Sequence, residues 1–224
     1  MTDEIKLIDV KESILSENAD QAEVIRTRLK GSGTFLLNLM ASPGAGKTSV
    51  IVQTIRRLRE KLSIAVVEGD IESIVDSKKV QAEGVNAVQI RTGGACHLDA
   101  PMLTAALDTL DLASLDLLFV ENIGNLICPA EFDLGANLQV MILSVPEGDD
   151  KILKYPLMFS VCDVLIVNKV DYLDDSDFDL ELLSRRAHEL NPRIKIFSVS
   201  CKKGTGLDEW SQWLYQSILT AKEN

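Results

Sequence analysis

Two kinds of chemistry can be read from short stretches of this chain, and they call for different ligands. The run Ala41-Ser42-Pro43-Gly44-Ala45-Gly46-Lys47-Thr48 has the spacing of a phosphate-binding loop, with alanine at the first position where the pattern has glycine. Gly44 and Gly46 let the backbone approach phosphate oxygens, and amides opening a following helix add aligned positive dipole ends. Lys47 then reaches the β- and γ-phosphates, and the Thr48 hydroxyl is offered to magnesium. Ser42, Ala45 and Ser49 complete the loop's nucleotide contacts. The second chemistry belongs to soft donors. The chain has four cysteines and two histidines, and Cys96 and His97 stand side by side in TGGACHLDA. Thiolate and imidazole suit zinc, and imidazole also suits nickel or copper.

Neighbouring residues in an extended strand face opposite ways, so Cys96 and His97 converge only in a turn, which Gly93-Gly94 permits. Cys128, in ENIGNLICPA, is the candidate third donor. Three donors leave a shell open. Water can fill it, or two chains can pool their donors around a pair of ions. The plainer alternative is that these cysteines pack as small hydrophobes, as expected of Cys162 in MFSVCDVLIV. His188, on DLELLSRRAHEL, is expected at the surface.

Base recognition falls to Asn168-Lys169-Val170-Asp171, similar to the NKxD signature of GTPases. The Asp171 carboxylate can accept hydrogen bonds from the ring NH and exocyclic amine of guanine, a donor pair adenine lacks. The stem of Lys169 can cover the base plane, Asn168 can tie the loop to its neighbours, and Ser200-Cys201-Lys202 looks like the loop that closes over guanine. GTP and GDP are the expected ligands. Magnesium takes hard oxygen donors. Asp70 in VVEGD and Glu121 in FVEN follow aliphatic runs and are expected just outside the sheet. With Thr48 they form the expected magnesium shell, and with Lys47 the catalytic set. Glu68 is the competing carboxylate.

These residues need a scaffold that brings them to one edge. Short aliphatic runs at 35–40, 64–68, 87–90, 115–121, 138–145, 163–169 and 195–200 are apolar on both faces, which suits a parallel sheet covered by helices. Amphipathic segments at about 47–61, 72–84, 99–111, 176–190 and 206–221 supply those helices. The fold expected is α/β: a doubly wound, mostly parallel sheet of the P-loop NTPase kind, in which ligands gather at the carboxyl ends of strands. Residues 9–31 read as a helix ended by Gly31-Ser32-Gly33. The expected division is therefore a helical extension over 1–33 and a GTPase domain over 34–224.

Composition narrows the partners. Of 224 residues, 46% are hydrophobic, so a sizeable core is possible. A net charge of −11 with no basic block argues against nucleic acid. No run approaches the roughly 20 apolar residues of a membrane span, and MTDEIKLIDVKES lacks a signal-peptide core. A cytoplasmic protein with cysteines as thiols or ligands is expected.

In order along the chain, ASPGAGKT, VEGDIES, TGGACHLDA, ENIGNLICPAEFDLG, KYPLMF and NKVD resemble the HypB family, GTPases of nickel–iron hydrogenase maturation. The similarity runs from about Ile14 to Gly206. It implies a GTPase that dimerises in response to nucleotide and helps deliver nickel to the hydrogenase large subunit precursor, with the nickel chaperone HypA as partner. It also implies an interfacial site of Cys96, His97 and Cys128 able to take zinc or nickel. The N-terminal cysteine motif and histidine-rich nickel store of some members are missing here. EGDIESIVDSKK departs from the commoner family wording, so no role is assigned to Asp76. Because Glu121 and Cys128 share one short loop, nucleotide and metal states are expected to bias each other.

Overall fold

The computed structural model describes residues 10–70 and 75–223. Seven strands form one parallel sheet: β1 (Phe35–Ala41), β2 (Ile64–Asp70), β3 (Asn86–Arg91), β4 (Leu117–Glu121), β5 (Leu138–Ser144), β6 (Val164–Asn168) and β7 (Lys195–Ser198). Their order is β3-β2-β4-β1-β5-β6-β7. The helices are α1 (Val10–Ser32), α2 (Lys47–Leu58), α3 (Val75–Gln81), α4 (Ala100–Leu107), α5 (Cys128–Glu131), α6 (Lys151–Lys154), α7 (Pro156–Val161), α8 (Leu180–Leu190) and α9 (Leu207–Glu223).

All residues of β1 are buried, because the sheet is covered on both faces. Alternation divides them. Leu37 and Leu39 face the core under α2 and α9, Leu36 packs with α1 and α4, and Met40 packs with α7 and α8. On α2, Val50, Ile51, Thr54, Ile55 and Leu58 make the buried stripe. Trp210 of α9 is fully buried against it and donates its indole N–H to Thr54 Oγ1 at 3.0 Å.

Helix α1 is built into this core, with Ala22, Ile25 and Leu29 at most 1% exposed. Asn18 donates to the Asp133 carbonyl and accepts from the Ala100 amide, both at 2.8 Å. Gly135 has φ 70°, and a Cβ there would lie 2.5 Å from the Ala22 carbonyl, so the chain passes α1 only as glycine.

The seven strands stand where the aliphatic runs place them, but several helices are shorter than periodicity predicts. Asp99 and Asp179 accept from Met102 N and Leu182 N, so α4 and α8 begin after those caps. Residues Val170–Asp175, between β6 and α8, form a 3-10 turn. Helix α3 falls within the expected 72–84, of which 72–74 lie outside the described residues, as do 1–9 of the N-terminal extension. Among the described residues no helix is long and apolar enough to cross a membrane.

Candidate nucleotide and metal site

The phosphate loop joins β1 to α2 at the carboxyl edge of the sheet. Gly44 and Gly46 have φ of 80° and 104°. A Cβ on Gly46 would collide with Asn168 Nδ2, so close approach as well as backbone angle favours glycine. Asn168, 1% exposed at the end of β6, donates from Nδ2 to the Ala45 carbonyl at 2.9 Å. Its Oδ1 accepts the Lys169 amide at 2.8 Å, and Lys169 takes φ 62°. The Lys169 ammonium reaches the Gly44 carbonyl at 2.7 Å. Asn168 and Lys169 thus tie the NKVD segment to the phosphate loop. Ser42 is held from the other side by Glu147, whose carboxylate also accepts from the Ser144 amide at 2.8 Å and the Ser144 hydroxyl at 2.7 Å.

A cavity of about 610 Å³ opens beside this loop, lined by Lys169, Asp171, Tyr172, Cys201 and Lys202 among others. The Ser200 hydroxyl donates to Asp171 Oδ1 at 2.5 Å, and that bond, aided by Lys202 and Lys203, holds the carboxyl below the usual aspartate range. Ser200 also accepts the Gly204 amide on its carbonyl at 2.8 Å. Burial pushes the Cys201 thiol up to about 11, so it stays neutral. Gln53, on α2, donates to the Cys201 carbonyl at 3.3 Å and accepts from Arg57 at 2.9 Å. Arg57 in turn pairs with Asp208 at 2.6 Å. An ionised acceptor on the cavity wall and a braced loop across from it suit a base carrying two adjacent donors.

A second cavity, about 510 Å³, adjoins the first and is lined by Lys47, Glu68, Asp70, Lys79, Glu121 and Gly124 among others. Thr48 Oγ1 donates to Glu121 Oε1 at 2.8 Å, so the expected hydroxyl and carboxylate do meet. Asp70 closes β2 and is half-buried. Both carboxylates depart from expectation in one respect: Asp70 and Glu121 are the last residues of β2 and β4, inside the sheet, and Glu121 is only 5% exposed. The parallel register sets Glu68 beside it on β2, 3% exposed. Glu68 accepts from the Ser77 hydroxyl of α3, whose oxygen also approaches Gln89 Oε1 at 3.1 Å. The competing carboxylate is thereby engaged in mooring a helix. Thr48, Asp70 and Glu121 offer hard oxygens around the phosphate end, which fits a magnesium ion. The Asp76 side chain lies outside the described residues.

The soft donors gather at the same edge. Cys96 Sγ lies 3.1 Å from Cys128 Sγ and 3.6 Å from His97 Nδ1. Ligand atoms of all three lie within 4.8 Å of one another. Gly93 and Gly94, with φ of 61° and 112°, make the turn that lets Cys96 and His97 face one point. Cys128 opens α5, placed there by Pro129 in the first helical turn. The His97 ring packs against Phe132 at 3.8 Å between centroids. Burial pulls the imidazole below its ordinary value against the opposing Asp99 and Glu131. The hydrogen bond to Cys128 and burial raise the Cys96 thiol. Two sulfurs and a neutral imidazole fit a transition-metal ion. Cys162 is buried and its thiol is raised by burial, and His188 is exposed, as the sequence predicts for both.

Residues without an obvious signature connect the two halves. The backbone of Gly124 lies on the phosphate loop, since a Cβ there would sit 2.9 Å from Pro43 Cγ. Asn125 Nδ2 donates to the Cys96 carbonyl at 3.1 Å, and its Oδ1 accepts the Ile127 amide at 2.9 Å. Asn122 Oδ1 accepts the Leu98 amide at 3.1 Å. Two asparagines beside a glycine in ENIGN are the only trace of this in the sequence. Gln53, Ser77 and Glu147 left none.

Comparison with known proteins gives a consistent result. The family model for the CobW/HypB/UreG nucleotide-binding domain matches residues 35–198. The hydrogenase maturation factor HypB of Azotobacter vinelandii is 46% identical over 209 residues, covering 93% of this chain and 69% of that protein. The crystal structure of HypB from Archaeoglobus fulgidus is 40% identical, with a TM-score of 0.85 over 91% of this chain and 99% of that one. HypB from Helicobacter pylori, solved in complex with nickel, is 36% identical with a TM-score of 0.86, over 91% and 96% of the two chains.

Proposed function

The chain belongs to the HypB family of hydrogenase maturation factors, built on the CobW/HypB/UreG nucleotide-binding domain, and from that membership we propose that it binds and hydrolyses GTP to control nickel delivery. Asp171 selects guanine, with Ser200, Cys201 and Lys202 closing over the base and Asn168 and Lys169 fixing the pocket to the phosphate loop. Ser42, Gly44, Ala45, Gly46 and Ser49 cradle the phosphates, and Lys47 neutralises their outer oxygens. Magnesium, held by Thr48, Asp70 and Glu121, would supply charge neutralisation at the β- and γ-phosphates. Asp70 and Glu121 also orient the attacking water.

Cys96, His97 and Cys128 carry the cargo ion, nickel, with zinc as the competing occupant. Three donors leave the shell open, which suits an ion that must be released or shared across a GTP-dependent homodimer. HypA is the supplying partner in this reading and the hydrogenase large subunit precursor the recipient, in the cytoplasm. In this reading residues 34–224 form the switch domain, and the extension over 1–33 is anchored on it by α1.

The observation that supports the coupling most directly is the segment from Glu121 to Cys128. Glu121 bonds Thr48, Gly124 lies on Pro43, and Asn125 holds the Cys96 carbonyl. A change at the terminal phosphate that moves Glu121 or Pro43 therefore reaches both cysteines through a few residues. Such linkage is reciprocal for binding. Nickel affinity, measured with GDP and with a non-hydrolysable GTP analogue alongside native mass, tests the proposal. A difference between the two states is expected, and equal affinities at equal dimer content remove the coupling.

A further inference from the structure

A nucleotide with its base at Asp171 and its terminal phosphate beside Asp70 and Glu121 must cross from the first cavity into the second. The two cavities share Gly46, Thr48, Ser49 and Lys79. Three of these belong to the phosphate loop and the start of α2, on one wall. Lys79, on α3, forms the facing wall of the seam. We infer that the Lys79 ammonium contacts the nucleotide's phosphates as they pass that seam, adding a second cation opposite Lys47. The inference rests on the nucleotide reading above and gives a role to the last residue of EGDIESIVDSKK, a stretch to which the sequence assigned none beyond Asp70.

The mooring of α3 supports the placement. Two residues before Lys79, the Ser77 hydroxyl is fixed to Glu68, a carboxylate only 3% exposed. One residue after it, Val80 is fully buried in the core beneath α2 and β2. The helix is pinned on both sides of the lysine, so its long stem starts from a fixed point. The second cavity holds Glu68, Asp70 and Glu121, and a polyphosphate entering it gains from every nearby cation. Glu68 acquires a role here as the anchor of a phosphate-binding helix.

Lys79 is exposed, so Lys79→Met leaves the fold intact. Competition calorimetry with GDP, ADP and guanosine, on wild type, Lys79→Met and Lys79→Arg, tests the assignment. Lys79→Met is expected to weaken GDP by about tenfold or more while guanosine stays unchanged, and Lys79→Arg restores most of the loss. Ser77→Ala is expected to weaken GDP in the wild-type background and to add nothing to Lys79→Met, which separates positioning from general destabilisation. GDP affinity unchanged in Lys79→Met, or guanosine weakened as much as GDP, overturns the inference. Wild-type protein that takes ADP as tightly as GDP overturns the guanine reading instead. The lysine is then supported by loss of diphosphate affinity with either base.

Discussion

At the scale of single residues, the guanine-selecting role proposed for Asp171 depends on Ser200. The hydroxyl donates into the carboxylate and holds it ionised, and an ionised carboxylate has lone pairs for two donors at once. Asp171→Asn puts an amide donor where guanine also presents a donor. GTP affinity should fall by about a hundredfold or more, as when a buried hydrogen-bonding pair is mismatched. The same change should favour xanthine nucleotides, which carry a carbonyl at that ring position. Unaltered GTP binding in this variant would move the base elsewhere. The direction of the shift sets the pH behaviour. A depressed carboxyl stays charged as pH falls through the ordinary aspartate range and loses its charge only below it. Guanine binding should therefore resist acidification, and Ser200→Ala should move its acid limit to higher pH. A titration of GDP affinity in both proteins checks this. The place of Asp171 on the cavity wall was legible because its motif is contiguous. Gln53 and Glu147 were not, since their partners Cys201 and Ser42 lie far away in the chain and only folding brings them near.

At the scale of elements, legibility followed the way each segment is buried. Strands covered on both faces must be largely apolar, so β1, β5 and β6 stand out as aliphatic runs. Helix ends were less visible: α8 waits for its cap at Asp179 although its expected segment opens at 176, and α4 stops at Leu107 although its expected segment runs to 111. Helices α5, α6 and α7 are too short for a period to show. Length alone suggests an extension in α1, yet Ala22, Ile25 and Leu29 are among its most buried residues. The joint between α2 and α9 is the element contact with the clearest energetic consequence. Trp210 is wholly buried there, stacked with Trp213 and edge-on to Phe197, with its indole N–H bonded to Thr54. Trp210→Ala should cost about 3–5 kcal/mol, read from a denaturant midpoint, through lost transfer energy and the cavity left behind. Because α2 carries the phosphate loop at its start, nucleotide affinity is a second readout. A loss below about 1 kcal/mol would mean that α9 contributes little to holding α2.

For the whole molecule, the proposed phosphate and soft-donor sites meet because a parallel sheet brings all its strand ends to one edge. The phosphate loop follows β1, Asp70 ends β2, the Cys96 turn follows β3, Glu121 ends β4 and the NKVD segment follows β6. Neighbouring strand ends then lie side by side, and the loop after β4 touches both the phosphate loop and the Cys96 turn. Asn125 is where this arrangement can be tested with least disturbance. It is not one of the three soft donors and does not line the cavity beside Asp171, yet it holds the Cys96 carbonyl and the amide before Cys128. Asn125→Ala should leave nickel stoichiometry and GDP affinity near wild type while shrinking the difference in nickel affinity between GDP and GTP-analogue states. Cys128→Ala, by contrast, should abolish stoichiometric nickel and leave GDP affinity unchanged. If Asn125→Ala keeps the full nucleotide dependence, the phosphate loop must reach the cluster by another route, such as the bond from Asn122 to the Leu98 amide. Asn122→Ala would then show the loss that Asn125→Ala did not.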